Sequence, residues 1–222
     1  LANLAVEPRT VIISVQAVPR SNLASVEILH RIALDVVAGG ATALRLAGVD
    51  VIAEVRKSVK ATILGISKIE RPGFKARITQ SREEICKLAA AGAQIVGIDS
   101  TLRAHPEPLK ELYKCARENQ VEVLADIDNL PSARAAIDLG ADYVATTMAG
   151  YTDSRPITAG PDFELLTHVI DLGKPTVLEG RVRGSGDVTR AFEIGAHAVV
   201  VGRSVTSPRD ITEVLLRDSS SR

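Results

Sequence analysis

Lys68 and Glu179 are the residues on which acid–base chemistry in this chain would turn. Lys68 follows the apolar run Ala61 to Ser67, and Glu179 closes the run Pro175 to Glu179. A lysine among apolar walls and near another cation, such as Arg45, has its pKa drawn toward neutrality, so it serves as base and then, protonated, as acid. A carboxyl opposite it would make the complementary transfer. The same two residues could instead be a structural salt bridge over the top of a core. Other apolar runs also stop at polar residues: Gln16, Arg45, Asp99, Asp126, Thr146 and Thr147, and Gly202 followed by Arg203. Asp126 could hydrogen-bond a ligand, orient Lys68 or cap a strand end. Two small-residue segments carry arginines, Glu179-Gly180-Arg181-Val182-Arg183-Gly184-Ser185-Gly186 and Gly202-Arg203-Ser204. Glycine lets backbone N–H groups approach an anion and arginine adds charge-assisted bonds, so Gly180, Arg181, Gly202 and Arg203 are expected to hold a phosphate. His30, His105, His168 and His197 are scattered, and no metal-ligand cluster is visible.

A repeat in the chain supplies the elements that carry those residues. Gly40-Ala41, Gly92-Ala93, Gly140-Ala141 and Gly195-Ala196 each precede a β-branched or apolar run. They recur about 50 residues apart, twice the ~25–30 residues of one strand plus one helix in a barrel. Four more runs, Val11 to Gln16, Ala61 to Ser67, Val121 to Asp126 and Pro175 to Glu179, complete eight strands. Helical spacing fills the gaps, as in Leu23, Val26, Ile28, Leu29, Ile32, Ala33 and Val36, and Gly39, Gly92, Gly140, Gly173 and Gly195 mark helix ends. Strict alternation with buried strands predicts a parallel, closed eight-stranded sheet, an α/β (β/α)8 TIM barrel, with an open doubly wound sheet as the alternative. In the barrel Lys68 and Glu179 end strands three and seven and face each other across the mouth. One domain over 1–218 is expected, with 219–222 a disordered tail.

Composition limits the partners. Lys plus Arg (27) equal Asp plus Glu (27), which removes the basic field that would recruit nucleic acid or an anionic membrane. Aromatics are 3% with no Trp, so the core is aliphatic. The N-terminal stretch lacks a signal-peptide pattern and no run approaches the ~18 apolar residues of a membrane span. Cys86 and Cys115 fall in amphipathic segments and are expected to be buried, reduced thiols of a cytoplasmic protein.

The residues resemble the bacterial N-acetylmannosamine-6-phosphate 2-epimerases over nearly the whole chain, from Ile13-Ser14-Val15-Gln16-Ala17 to Val199-Val200-Val201-Gly202. The most specific stretch is Ala145-Thr146-Thr147-Met148-Ala149-Gly150-Tyr151-Thr152 continuing to Gly160-Pro161-Asp162-Phe163-Glu164-Leu165-Leu166, with Ala125-Asp126-Ile127 and Glu179-Gly180-Arg181-Val182 around it. The resemblance implies a (β/α)8 barrel with no metal or other cofactor. It also implies a small-molecule sugar-phosphate substrate, with N-acetylmannosamine 6-phosphate and N-acetylglucosamine 6-phosphate interconverted at C2 in sialic acid breakdown. It makes Lys68 and Glu179 the proton-transfer pair, sets Gln16, Arg45, Asp126, Thr147 and Tyr151 in the sugar site, and puts Gly180, Arg181, Gly202 and Arg203 at the phosphate. The chain departs from the family at Arg203, where a small residue is general, at Arg183 to Gly186, and at Leu46-Ala47. A Schiff-base aldolase or a non-catalytic sugar-phosphate-binding barrel are the other readings of a lysine at a strand end. A metal-dependent pentose-phosphate epimerase would need His and Asp ligands that the strand ends lack. The sequence leaves the oligomeric state open, a homodimer included.

Overall fold

Period-two alternation decides which side chains enter the barrel. Each strand is short and β-branched or aliphatic, so one set of alternate residues faces inward and the other meets the helices. The fold is taken from a computed structural model that describes residues 4–17 and 21–219. In chain order the elements are β1 (Thr10–Val15), α1 (Val26–Ala38), β2 (Ala43–Ala47), α2 (Val49–Arg56), β3 (Thr62–Ile66), α3 (Arg82–Ala90), β4 (Ile95–Asp99), α4 (Leu109–Glu118) and β5 (Glu122–Asp126). They continue with α5 (Leu130–Asp138), β6 (Tyr143–Ala145), a 3-10 turn (Thr146–Met148), α6 (Phe163–Ile170), β7 (Thr176–Glu179), α7 (Ser185–Ile194), β8 (Ala198–Val201), α8 (Arg203–Thr206) and α9 (Pro208–Ser219). All strand pairs are parallel and β8 closes onto β1. The sheet is a closed (β/α)8 barrel, not an open doubly wound one.

Ile12, Ala43, Ile95, Leu124, Val177 and Val200 belong to the cluster that fills the barrel. Two residues further along the same strands come Ser14, Arg45, Gly97, Asp126 and Glu179, with Gly202 just past β8. The polar layer of the mouth is thus the continuation of the apolar layer beneath it. A second, larger cluster lies between the strands and the helices. At the opposite end the N-terminal segment plugs the floor: the Ala5 N–H donates to the Glu122 carboxylate at 3.0 Å and the Val6 N–H donates to the Tyr143 hydroxyl at 3.1 Å. His197, which precedes β8, contacts the Val6 carbonyl at 2.8 Å through Nε2.

Side-chain caps start several helices, with Ser25, Ser81, Asn129 and Asp162 each accepting a backbone N–H of the first turn. Four sequence expectations need correction. At the end of α1 the left-handed residue is Gly40 (φ 104°), while Gly39 keeps a right-handed conformation, because the chain reverses one residue later than the Gly-Gly pair alone tells. Leu23 lies ahead of α1, whose cap is Ser25. Cys115 is buried, but Cys86 is exposed, since it lies toward the outer side of α3. Ser219, assigned to the tail, closes α9, and 220–222 lie outside the described residues.

Gly97 leaves the space that the polar layer uses. A Cβ there would stand 2.7 Å from Ile66 Cγ2, 3.1 Å from Asp126 Oδ2 and 3.4 Å from Arg45 Nη1. Gly97→Ala is therefore expected to destabilise the fold by about 1–3 kcal/mol, read as a melting temperature lowered by roughly 2–10 °C. An unchanged melt would show that the guanidinium does not need that space.

Candidate active site

Arg45 occupies the centre of the mouth. The sequence puts it at a strand end, but β2 runs on to Ala47, so Arg45 lies inside the strand and is 1% exposed. Its Nη2 donates to Asp126 Oδ2 at 2.8 Å, and its Nη1 lies 3.1 Å from Glu179 Oε2. The second contact is an ion pair out of line for a hydrogen bond, which leaves Nη1, Nε and Glu179 Oε2 without hydrogen-bond partners inside the protein. The other Asp126 oxygen accepts the Thr147 hydroxyl. Thr146 Oγ1 accepts the Glu179 N–H at 3.1 Å and donates to the Glu179 carbonyl at 3.0 Å, which fixes the end of β7 against the turn after β6.

Burial and charge then set the proton affinities. Burial foremost pushes Glu179 up to about 7; Asp126 adds to the rise while Arg45, Lys68 and Thr147 oppose it. Lys68 follows β3 by two residues and is exposed to solvent, within electrostatic reach of Arg45, Asp126 and Glu179. Partial desolvation, and then the Arg45 charge, lower its pKa against the pull of Glu179 and Asp126. Burial also raises Asp126, opposed by Arg45 and Thr147. For Arg45 burial works against the cation, and the two carboxylates outweigh it, so its pKa is raised. The amine and the carboxyl thus approach each other in proton affinity from opposite sides, as a pair exchanging one proton requires.

The chain matches the family model described as "Putative N-acetylmannosamine-6-phosphate epimerase" (NanE) over residues 29–219. The chain belongs to this family. A protein of Clostridioides difficile (strain 630) with the same description, its activity written as 2-epimerase, is 37% identical over 209 residues, 93% of this chain and 94% of its own length. One from Yersinia pseudotuberculosis serotype O:3 is 37% identical over 195 residues, 88% of this chain and 83% of its own. The solved N-acetylmannosamine-6-phosphate 2-epimerase of Clostridium perfringens superposes with a TM-score of 0.93 at 31% identity, covering 96% of this chain and 94% of that one.

Among the residues singled out from the sequence, Arg45, Lys68, Asp126, Thr147 and Glu179 form one electrostatic and hydrogen-bonded group. Gln16, just past β1, donates to Ser14 Oγ at 2.7 Å. Gly180 has φ 112°, which suits glycine, and Gly202 packs close to Ser14. Arg203 pairs with Asp210 at 3.3 Å on the surface. Arg181 points elsewhere than a phosphate site would suggest: Nε donates to the Gly160 carbonyl at 2.8 Å, Nη1 to the Ala149 carbonyl at 2.9 Å and Nη2 to Thr158 Oγ1 at 2.9 Å. The same guanidinium stacks over the Tyr151 ring at 5.5 Å. It staples the loop between β6 and α6, which Asp128 also holds through Thr152 Oγ1 at 2.7 Å. Sequence reasoning missed Gly97 and Asp128, and for Asp128 the only signal was its position two residues past the Asp126 strand end. Among the described residues no three His, Cys, Asp or Glu side chains are grouped as metal ligands.

If Arg181 is a staple, Arg181→Ala speeds amide hydrogen exchange across 149–160 by about tenfold or more, since three side-chain anchors are lost together. Arg181→Lys restores little, because an ammonium cannot reproduce the guanidinium fork. Unchanged exchange with a raised KM would instead make Arg181 a phosphate ligand.

Proposed function

We propose that this chain interconverts N-acetylmannosamine 6-phosphate and N-acetylglucosamine 6-phosphate by a two-base transfer at C2. The observation that carries the reading is the buried Arg45 held between Asp126 and Glu179, with Lys68 at the same mouth. In the open-chain sugar the C2 proton lies α to the C1 aldehyde. Lys68 as neutral amine takes that proton from one face, and the electron pair moves onto the carbonyl oxygen as an enolate. Glu179 as carboxylic acid returns a proton to the other face of C2. The pair is left as ammonium and carboxylate, the state that catalyses the reverse direction. The fixed Arg45 cation, with the Lys68 ammonium once it has taken the proton, supplies positive potential for the enolate, which supports chemistry without a metal.

In this reading Gln16, Asp126, Thr147 and Tyr151 contact the sugar, and Gly180, Gly202 and Arg203, with Arg181 if its staple opens, meet the phosphate. Anchoring that remote end holds C2 between the two transfer groups. A phosphorylated sugar does not cross a bilayer unaided, so we place the enzyme in the cytoplasm, where such a substrate would be retained. A homodimer is the assembly favoured by Val214 and Leu215, which α9 exposes to solvent.

The test follows the substrate in heavy water by NMR. Lys68→Ala is expected to abolish both epimer formation and deuterium at C2. Glu179→Gln should lose about 10²-fold or more in turnover, while Lys68 still exchanges deuterium into the starting epimer. Near-native turnover in either variant would return that residue to a structural ion pair, and a borohydride-trapped adduct on Lys68 would favour an aldolase. Chelator should leave activity intact; loss restored only by added metal would overturn the metal-free reading. Unfolding does not confound Glu179→Gln. A carboxyl whose folded pKa of about 7 lies above its unfolded value contributes stability below the unfolded value and loses it as pH rises through about 7. The amide is therefore expected to melt no lower than the native residue at pH 8.

A further inference from the structure

The only two cysteines of the chain are 29 residues apart in sequence, and the fold sets them face to face. Cys86 lies in α3 and Cys115 in α4, neighbouring helices on the outer wall of the barrel. Their sulfurs are 3.7 Å apart. Cys86 is exposed and Cys115 is 4% exposed, so one thiol of the pair meets solvent and the other lies behind it. Asn119 Nδ2 reaches both sulfurs, at 3.6 Å and 3.5 Å, and is itself held by donating to the Cys115 carbonyl at 2.9 Å. The Cys115 thiol points to the Arg82 carbonyl at 3.7 Å. A disulfide needs sulfurs about 2.05 Å apart. The remaining approach is less than 2 Å, and the exposed Cys86 side chain is the one free to rotate and close it.

We propose that Cys86 and Cys115 are a modification site, a dithiol that a small disulfide such as oxidised glutathione converts to an intramolecular bridge between α3 and α4. The Cys86 thiolate bonds to one glutathione sulfur and the other glutathione leaves as thiolate. Cys115 then gives up its thiol proton, its sulfur bonds to Cys86 Sγ, and the second glutathione leaves and takes a proton. Two protein thiols are oxidised and one glutathione disulfide is reduced to two thiols. Burial, and then the neighbouring Cys86, pushes the Cys115 thiol up to about 11, which makes Cys86 the entry point and Cys115 the resolving partner. The bridge lies on the wall, away from Lys68 and Glu179, and ties α3, which follows the Lys68 segment, to the next helix of the barrel.

The experiment treats the folded full chain with oxidised glutathione, blocks remaining thiols by alkylation, and maps tryptic peptides. Expected is a cross-linked species joining Glu83–Lys87 to Cys115–Arg117, lighter by two hydrogens than the two free peptides, with no free thiol left. Cys115→Ser should stop at a stable glutathione adduct on Cys86, and Cys86→Ser should form no adduct. Closing a loop of this length raises the melting temperature by roughly 5–10 °C, and turnover of the oxidised protein stays within about twofold of the reduced. Two alkylatable thiols after treatment, or a lasting adduct on Cys86 in the unaltered chain, would overturn the proposal. An oxidised protein that melts no higher than the reduced one would contradict the preformed geometry, and the reduced unaltered chain serves as its own folding control.

Discussion

Arg45 carries a positive charge into the barrel interior, where an unpaired ion costs several kcal/mol. Asp126 compensates most directly, through a 2.8 Å charge-assisted bond, and its second oxygen is taken by Thr147. Glu179 shares the same guanidinium through a contact that is close but out of line. One guanidinium cannot neutralise two buried carboxylates, so the balance falls on Glu179 and Lys68. Either Glu179 keeps its proton and Lys68 is neutral, or both are charged. These two states differ by the transfer of one proton, and the raised carboxyl and lowered amine narrow the free-energy gap between them. Inversion at a carbon by two bases demands that condition.

The scaffold makes the arrangement reproducible without dedicated elements. Strand period two lifts Arg45, Asp126 and Glu179 directly above Ala43, Leu124 and Val177. Gly97 on β4 supplies an inward position with no side chain, beside both Arg45 and Asp126. Thr146 stitches β7 to the turn after β6, and Arg181 with Asp128 holds the long loop that follows. The floor is closed independently by Glu122 and Tyr143 against the N-terminal segment. The mouth is therefore free to hold strained charges while stability is supplied by the aliphatic layers around and below it.

The architecture was legible because it repeats: Gly-Ala before an apolar run recurs four times, and the missing four runs fall midway. Lys68, Asp126 and Glu179 were legible as polar residues ending apolar runs. Arg45 was found for a reason that does not hold, since its strand continues through Leu46 and Ala47; what distinguishes it is burial, which a run of residue types does not encode. Gly97 was invisible because a glycine inside an apolar run carries no sign of which neighbours need its space. Arg181 shows the opposite limit. A Gly-Arg pair after a strand suits a phosphate, but the partners of a guanidinium depend on a loop 21 to 32 residues earlier in the chain. The contact between Cys86 and Cys115 depends in the same way on how two helices turn about their axes.

Proton exchange between Glu179 and Lys68 requires Glu179 to hold a proton near neutrality, and carbon-13 NMR of the carboxyl groups measures that directly. With glutamate labelled at the side-chain carboxyl and the Glu179 resonance assigned by its absence in Glu179→Gln, a titration should show a midpoint near 7. A midpoint in the ordinary glutamate range of about 4–5 would mean that Arg45 neutralises Glu179 fully, and the proton exchange with Lys68 on which the mechanism depends would have no basis.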